Sequence, residues 1–187
     1  NGIAERFGID PVIARIIRNR DVVGDEAIEK FLHGTMADLY DPALLKDADK
    51  AAEILCKKTR EQKKIRVIGD YDIDGVCSSY ILAACLEKCG ADVSVVIPHR
   101  IRDGYGLNEK LIEEAGEDGV DTILTCDNGI AAFSQIAFAK ELGMTVIVTD
   151  HHEVPYEVRE DESRREILPP ADAVVDPKQS GCPYPYK

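Results

Sequence analysis

The chain has no long uninterrupted apolar segment. Hydrophobic residues make up 44% of its 187 residues and charged residues 31%, which is ordinary for a globular domain. No apolar run approaches the roughly 18 residues that a membrane-spanning helix requires, and the first residues show no signal-peptide pattern. The sequence therefore predicts a protein without a membrane segment.

Paired cysteine motifs are also missing. None of the six cysteines forms a Cys-x-x-Cys pair, and Cys77, Cys85 and Cys89 fall within one predicted helix. This usage argues against a disulfide framework and against a structural zinc site. We expect reduced, mostly buried thiols and a cytoplasmic location.

Positive charge is scarce. The chain has 23 Lys and Arg residues against 35 Asp and Glu residues, giving a net charge of −12. That balance argues against broad, nonspecific attraction to nucleic-acid backbones. It does not exclude a nuclease, because local charge and bound metal ions can differ in sign from the total.

The pattern of apolar residues changes once along the chain. Residues 1–64 have a helical pattern, with starts at Asp10-Pro11, at Gly24-Asp25 and after Asp41-Pro42, the last helix running to about Lys64. From Ile65 onward, strand and helix patterns alternate, which predicts an α/β fold: a doubly wound, mostly parallel sheet with flanking helices. We expect an N-terminal helical segment over 1–64 and the sheet domain over 65–187.

Three segments of the sheet domain carry specific expectations. The helix predicted over 76–89 is apolar nearly all round and is expected to be buried. Residues 154–170 are rich in proline and charge, which predicts an exposed loop or short helix, and the pattern over 173–175 predicts a final strand. Because the sequence starts at Asn1 and ends in loop-like residues, we expect it to be a piece of a longer protein.

The most informative stretch is an acidic turn after the first predicted strand. The apolar run 65–69 is followed by Asp70, Asp72 and Asp74 and then by an apolar helix. Acidic residues are favoured near a helix N-terminus, which explains one or two of them but not three. Three carboxylates in so short a span repel one another unless a multivalent cation neutralises them.

Two later strands end in the same manner. The run 120–126 leads into Asp127-Asn128-Gly129, and the run 144–149 leads into Asp150-His151-His152. In an open parallel sheet, the ligand crevice lies beyond the carboxyl ends of the strands. The pattern therefore predicts that these acidic and imidazole groups converge.

This set of side chains predicts divalent metal chemistry. Carboxylates with one or two imidazoles suit Mn²⁺, or Mg²⁺ with waters. We predict that Asp74, Asp127 and His151 hold one ion, and that Asp72 and Asp127 hold a second. Two ions about 3.5–4 Å apart clamp a phosphoester for hydrolysis. His152 is predicted to bind a phosphoryl oxygen or to protonate the leaving oxygen.

The loop over 98–106 is the candidate substrate contact. It contains Arg100, Arg102 and Tyr105 beside two glycines, so it can approach an anionic ligand closely, with Arg as a bidentate phosphate partner. The alternative interpretation is an ordinary glycine-rich turn.

Together the motifs over 70–75, 127–129 and 150–152 resemble the first three motifs of the DHH phosphoesterase superfamily. The segments 97–107 and 168–177 further resemble the RecJ branch, the single-strand-specific 5′→3′ DNA exonucleases. The resemblance implies metal-dependent hydrolysis of single-stranded DNA in repair and recombination, two Mn²⁺ or Mg²⁺ ions, and a single-strand-binding protein as a partner. It implies these metal and catalytic residues: Asp70, Asp72, Asp74, Asp127, His151 and His152. It also implies that Arg100 and Tyr105 contact the nucleotide or its 5′ phosphate.

Two departures from the family pattern bear on activity. Some relatives carry a histidine where this chain has Ile68, which would weaken one metal site. The fourth motif, with a further metal-binding Asp, and a second domain are expected beyond residue 187. We therefore expect the 187-residue chain alone to have little or no activity.

Other functions fit parts of the pattern. A haloacid-dehalogenase-type phosphatase would use the D-x-D-G sequence as an aspartyl nucleophile, but it gives no role to Asp150-His151-His152. Relatives within the superfamily cleave short oligonucleotides, cyclic dinucleotides or pyrophosphate. A non-catalytic replication scaffold would retain the fold and lose metal ligands, whereas all the ligands expected up to residue 187 are present.

Overall fold

The computed structural model describes residues 2–159 and 161–186, which form two compact units that divide after Asp41. The first unit contains helices α1 (Gly2–Phe7), α2 (Pro11–Asn19) and α3 (Asp25–His33). Helix α2 begins as its sequence predicts, because the side chain of Asp10 accepts a hydrogen bond from the backbone N–H of Val12 and proline occupies the first turn.

The second unit contains the sheet and the helices that cover it. Its elements, in chain order, are α4 (Ala48–Arg60), β1 (Lys64–Ile68), α5 (Ile73–Lys88), β2 (Asp92–Val96), α6 (Glu109–Glu117), β3 (Thr122–Cys126), α7 (Phe133–Glu141), β4 (Thr145–Thr149), β5 (Tyr156–Val158), β6 (Arg164–Glu166) and β7 (Ala173–Val175).

Five strands form one parallel sheet in the order β2-β1-β3-β4-β7. The chain moves outward from β1 to β2 on one side and then through β3, β4 and β7 on the other. Strands β1 and β3 are therefore neighbours at the point where the strand order reverses. That point is where an open α/β sheet forms its ligand crevice.

Helices cover both faces of this sheet, so the strands are buried on two sides. One apolar cluster packs α6 and α7 onto Ile123 and Val146, and the other packs α4 and α5 onto Val67 and Leu124. Every residue of β3 is buried. This double burial is why the sequence shows continuous apolar runs instead of alternation, and it confirms the predicted α/β class.

Several predicted boundaries were wrong. The last helix of the N-terminal segment is confined to Ala48–Arg60, and the helix predicted from Val76 begins at Ile73, because Asp72 caps it. Residues within 154–170 form the antiparallel hairpin β5–β6 instead of a loop or short helix. The final strand at 173–175 is confirmed.

The expectation that α5 is buried all round was wrong for one face. Ile73, Tyr80 and Ile81 are 73%, 74% and 59% exposed. The expectation of mostly buried thiols was wrong as well: Cys126 and Cys182 are buried, whereas the other four cysteines are exposed. A helix that is apolar on every side does not reveal by periodicity which side meets the core.

The division after Asp41 places α4 with the sheet unit. Its residue Ala51 is part of a sheet cluster with Ile65 and Leu124. The predicted boundary between residues 64 and 65 marks the change in the pattern of apolar residues. That it is also a domain boundary stays a prediction.

Candidate metal centre

Three strand ends of the second unit meet at the carboxyl edge of the sheet. Asp70 and Asp72 follow β1, Asp127 follows β3, and the two histidines follow β4. Carboxylate oxygens of Asp70, Asp72 and Asp127 lie within 4.8 Å of one another, and so do ligand atoms of Asp127, His151 and His152. The two groups overlap at Asp127, so the predicted convergence occurs around this residue.

The turn after β1 is built to point carboxylates into the crevice. Asp72 caps α5: its Oδ1 accepts hydrogen bonds from the backbone N–H groups of Asp74 and Gly75, at 2.9 and 3.0 Å. The hydrogen bond from Gly75, ahead of the other contributions, lowers the pKa of Asp72. A Cβ at position 75 would collide with the backbone of Asp70, so only glycine allows the turn to close.

Asp127 is the central group of the cluster. Its side chain is 5% exposed, and its backbone adopts a left-handed conformation with φ of 60°, which is an uncommon conformation for a residue other than glycine. One oxygen, Oδ1, lies 2.7 Å from Nε2 of His151. Burial raises the pKa of Asp127, and the nearby carboxylate of Asp72 adds to this, outweighing the lowering by His151.

Asp150 has a positioning role that the sequence interpretation did not assign. Its Oδ1 accepts hydrogen bonds from the backbone N–H groups of His151 and His152, at 2.7 and 3.2 Å, and from Nδ1 of His152 at 2.7 Å. Its Oδ2 accepts the N–H of Ile130 at 2.9 Å. Because Nδ1 donates to a carboxylate, the other ring nitrogen of His152 is turned towards the cluster. The signal in the sequence was its place immediately before two histidines.

Burial by itself lowers the pKa of His152, but the hydrogen bond and negative charge of Asp150, together with the charge of Asp127, raise the pKa overall. The imidazolium form is thus stabilised at the edge of the cluster. A protonated histidine in this position is suited to donate a proton or a hydrogen bond.

The loop 98–106 reaches the cluster through Tyr105. Its hydroxyl donates to the backbone carbonyl of Asp127 at 3.1 Å and lies 3.3 Å from Nε2 of His152. Burial, followed by the charge of Asp70 and neighbouring carboxylates, raises the pKa of Tyr105, so the hydroxyl keeps its proton. The guanidinium of Arg100 lies 5.2 Å from the centre of the Tyr71 ring, which in turn contacts Tyr105 edge-on.

Asp74 is the predicted ligand that is in neither group. Among residues 2–159 and 161–186, the group with Asp127 and His151 contains His152 where the sequence predicted Asp74, and the group with Asp72 and Asp127 also contains the expected Asp70. The side chain of Asp74 is at the exposed first turn of α5. Its role as a ligand stays a prediction.

The residues fit a divalent cation. Asp70 Oδ1 and Asp127 Oδ2 are buried oxygen atoms without a hydrogen-bond partner, a costly arrangement unless a cation is bound. No Lys or Arg in the described part of the chain forms an ion pair with these carboxylates. The donors are carboxylate oxygens and imidazole nitrogens, which suit Mn²⁺ or Mg²⁺. At position 68 the buried isoleucine offers no ligand.

This combination of a parallel sheet and a carboxylate–histidine cluster agrees with the comparison with known families. The model described as the DHH family, N-terminal domain, matches residues 64–183, and the chain belongs to that family. Over 185 residues it is 40% identical to the single-stranded-DNA-specific exonuclease RecJ of Bacillus subtilis, covering 99% of this chain and 22% of that protein.

Solved structures agree in fold. A crystal structure of exonuclease RecJ bound to manganese superposes with a TM-score of 0.64 at 36% identity, covering 76% of this chain and 34% of that one. A crystal structure of RecJ from Thermus thermophilus in complex with Mn²⁺ gives a TM-score of 0.57 at 33% identity, over 74% of this chain and 18% of that one. The chain thus spans between about a fifth and a third of the length of these relatives.

Family membership and the site geometry bear on two of the alternative functions. Membership of the DHH family replaces the dehalogenase-type interpretation. That interpretation gave no role to Asp150, His151 and His152, whereas in the structure these residues have defined contacts in the cluster. The candidate ligands also lie together, whereas a non-catalytic scaffold is expected to lose them. Across the described residues, no helix has the length and apolar character to cross a membrane.

Proposed function

We propose that this chain carries the metal centre of a phosphodiesterase that removes nucleotides from the 5′ end of single-stranded DNA. The observation that carries the proposal is the position of Asp127, whose carboxylate belongs to two candidate ligand groups at once. A shared carboxylate is the arrangement expected of a two-metal site. The names of the relatives support the substrate, since they are single-stranded-DNA-specific exonucleases.

In this proposal, two Mn²⁺ or Mg²⁺ ions would be held by carboxylates and an imidazole: Asp70, Asp72, Asp127 and His151 of this cluster, together with Asp74. Manganese in two solved RecJ structures supports the choice of metal. When bound, such ions lower the pKa of a water molecule and offset the negative charge of the transition state.

The chain's own side chains position the substrate. Asp150 holds His152 so that Nε2 faces the cluster, where the imidazolium donates to a phosphoryl oxygen or to the leaving oxygen. Arg100 binds the 5′ phosphate as a cationic fork, and its contact with the Tyr71 ring restricts its motion. Tyr105 contributes a protonated hydroxyl beside His152.

The proposal extends to the whole protein. It includes the fourth motif and a second domain beyond residue 187, a domain boundary between residues 64 and 65, a cytoplasmic location, a role in repair and recombination, and a single-strand-binding protein as partner. Support for these points comes from the resemblance and from the relatives' greater length. The present chain alone is then incomplete for catalysis.

The test is degradation of 5′-labelled DNA with Mn²⁺ by the longest natural protein that contains this chain. We expect single strands to be shortened from the 5′ end and duplexes to resist. Asp127→Ala should abolish the reaction, whereas Asp121→Asn, at the opposite edge of the sheet, should retain it. Equal rates on duplex DNA, or full activity of Asp127→Ala, would refute the proposal.

A further inference from the structure

A cavity lies against the metal centre, on the other side of Tyr105 and His152. It encloses about 430 Å³, and its walls are formed by Tyr105, Leu107, Ile130, Ala132, Gln135 and His152, among others. Ligand cavities in proteins range from about 300 to 1,000 Å³. This one is at the small end of the range, so it suits a single ring system with its sugar and not a longer segment of a polymer.

The lining of the cavity is unsuited to a phosphate. No Lys or Arg is among the described residues that line it. Of the ionisable groups there, Asp150 and Glu153 are acidic, and the imidazolium of His152 is already paired with Asp150 at 2.7 Å. Its other walls are mainly apolar side chains and glycine backbone. Two neutral amides also line it: that of Asn128, whose Nδ2 is bonded to backbone carbonyls, and that of Gln135. A neutral, planar group is therefore favoured over an anion.

The cavity and the metal centre share a wall. Tyr105 and His152 both line the cavity, yet the Tyr105 hydroxyl also bonds the carbonyl of Asp127 at 3.1 Å, and His152 belongs to a metal-ligand group. The cavity is therefore adjacent to the position that the proposed function gives to the phosphate.

We propose that this cavity receives the nucleobase of the nucleotide whose phosphate lies at the metal centre. The inference rests on the proposed function and adds a base subsite made by α7 and the segment before it. Tyr105 offers an aromatic face, and base–aromatic contacts are tolerant of sequence because every base has a π-face.

Gln135 determines how selective the subsite is. Its Oε1 accepts a hydrogen bond from the exposed Ser134 hydroxyl at 3.0 Å. Because this bond is exposed to water, the amide can exchange it and rotate to present its donors or its acceptor to a base. A subsite with one adaptable amide accepts all four bases, and we expect little discrimination among them.

One pair of substitutions on the same segment separates this idea from a general effect on α7. Ala131 is exposed and lines the cavity, so Ala131→Phe fills it without entering the core. Glu141 is exposed, is in the last turn of α7 and does not line the cavity. Glu141→Phe therefore adds the same ring where it should have no effect.

The measurement is binding by calorimetry in Mn²⁺ to the longest natural protein that contains this chain, with deoxynucleoside 5′-monophosphates and with 2-deoxyribose 5-phosphate, which has no base. We expect each nucleotide to bind at least about fivefold more tightly than the sugar phosphate. Ala131→Phe should remove this difference and leave sugar-phosphate affinity unchanged, while Glu141→Phe should keep it. Circular dichroism checks that both variants are folded.

The outcomes distinguish the subsite from the proposed function. If sugar phosphate and nucleotides bind equally, or if Ala131→Phe keeps the difference, the subsite is refuted, while binding of the sugar phosphate that requires Mn²⁺ and Asp127 still supports the metal centre. If no phosphate probe binds in Mn²⁺, or if Asp127→Ala binds the probes as the wild type does, the subsite and the proposed metal centre are refuted together.

Discussion

The aspartates at the two edges of the parallel sheet differ in whether a Lys or Arg is paired with them. At the amino edge, the carboxylate of Asp121 lies 2.5 Å from Lys58, and that of Asp118 lies 2.7 Å from Arg66. At the carboxyl edge, five aspartates form no ion pair with a described Lys or Arg: Asp70, Asp72, Asp127, Asp150 and Asp176. The same residue type therefore stabilises the fold at one edge, and at the other edge it carries negative charge without a Lys or Arg partner.

The pKa values follow this difference. The hydrogen bond and charge of Arg66 lower the pKa of Asp118. For Asp121, burial acts to raise the pKa, but Lys58 outweighs it and the result is lowered. Burial raises the pKa of Asp127, and it raises that of Asp176 to about 6. Buried carboxylates that lack a cationic side chain have raised affinity for protons, and by the same electrostatics for metal ions.

The largest expected effect is loss of metal at the carboxyl edge. Asp127→Asn removes the charge shared by both candidate groups. We expect Mn²⁺ affinity to fall at least about 100-fold, which is more than the loss expected from mutating a residue that only supports a ligand. Calorimetry on the metal-free chain measures this. Asp121→Asn, the matched change at the amino edge, should leave Mn²⁺ affinity within experimental error, and equal losses in both variants would remove the distinction between the edges.

The next effect concerns stability without metal. Asp176 is fully buried, and its Oδ2 has no partner. Since its pKa is raised to about 6 in the folded state, the folded protein keeps a proton that the unfolded chain loses near pH 4. Stability from this group is therefore full below pH 4 and falls as the pH rises to about 6, by about 2–3 kcal/mol.

Asp176→Asn resembles the protonated form and should remove this loss. In chelator, we expect its free energy of unfolding to exceed that of the wild type by about 2 kcal/mol at pH 8 and to match it at pH 4. Urea denaturation at the two pH values measures the difference. A variant that is less stable than the wild type at pH 8 would contradict the assignment.

The carboxyl edge could be located from sequence because its signals are local. Each strand buried on both faces gives a continuous apolar run, and Asp70, Asp127 and Asp150 each follow such a run closely. Parallel packing then brings the strand ends together. The order of runs and acidic residues was therefore sufficient to predict the convergence at Asp127.

The amino edge and the hairpin were not predictable in this way. The pair Lys58–Asp121 joins the end of α4 to the start of β3, and no local pattern connects residues so distant in sequence. In the hairpin β5–β6, both strands are mostly exposed, and Arg164 stacks on Tyr156 at 4.4 Å. Such cross-strand contacts stabilise strands without any apolar alternation.

Which acidic residues bind the metal ions was the feature of the site least determined by the sequence. Asp74 and Asp72 are both acidic residues at the start of α5, and only the direction of each side chain decides which enters the cluster. Asp72 caps the helix and faces Asp127, whereas the role of Asp74 still rests on the motif. Rotamer and cap geometry depend on the folded turn and cannot be read from residue order.

Asp74→Asn tests that remaining role at the carboxyl edge. If Asp74 is a ligand, Mn²⁺ affinity should fall about tenfold, which is less than for Asp127→Asn because Asp74 would serve one ion and not two. Calorimetry under the same conditions gives the comparison. Unchanged affinity would remove Asp74 from the ligand set and leave His152 as the third member of the group with Asp127 and His151.

The smallest effect is expected at the amino edge. The Lys58 and Asp121 side chains are 17% and 26% exposed, so their ion pair is better shielded than a surface pair, and Lys58→Met should cost about 1 kcal/mol at pH 7. The pKa of Asp121 is lowered in the folded state, so this stability is present above about pH 4 and is lost as the pH falls and Asp121 is protonated.

Lys57→Met is the matched control. Lys57 is the preceding residue of α4, its side chain is 72% exposed, and it lies 4.0 Å from Glu61. We therefore expect its free energy of unfolding to change by less than about 0.5 kcal/mol. Equal losses in both variants at pH 7 would mean that the pair does not stabilise this edge.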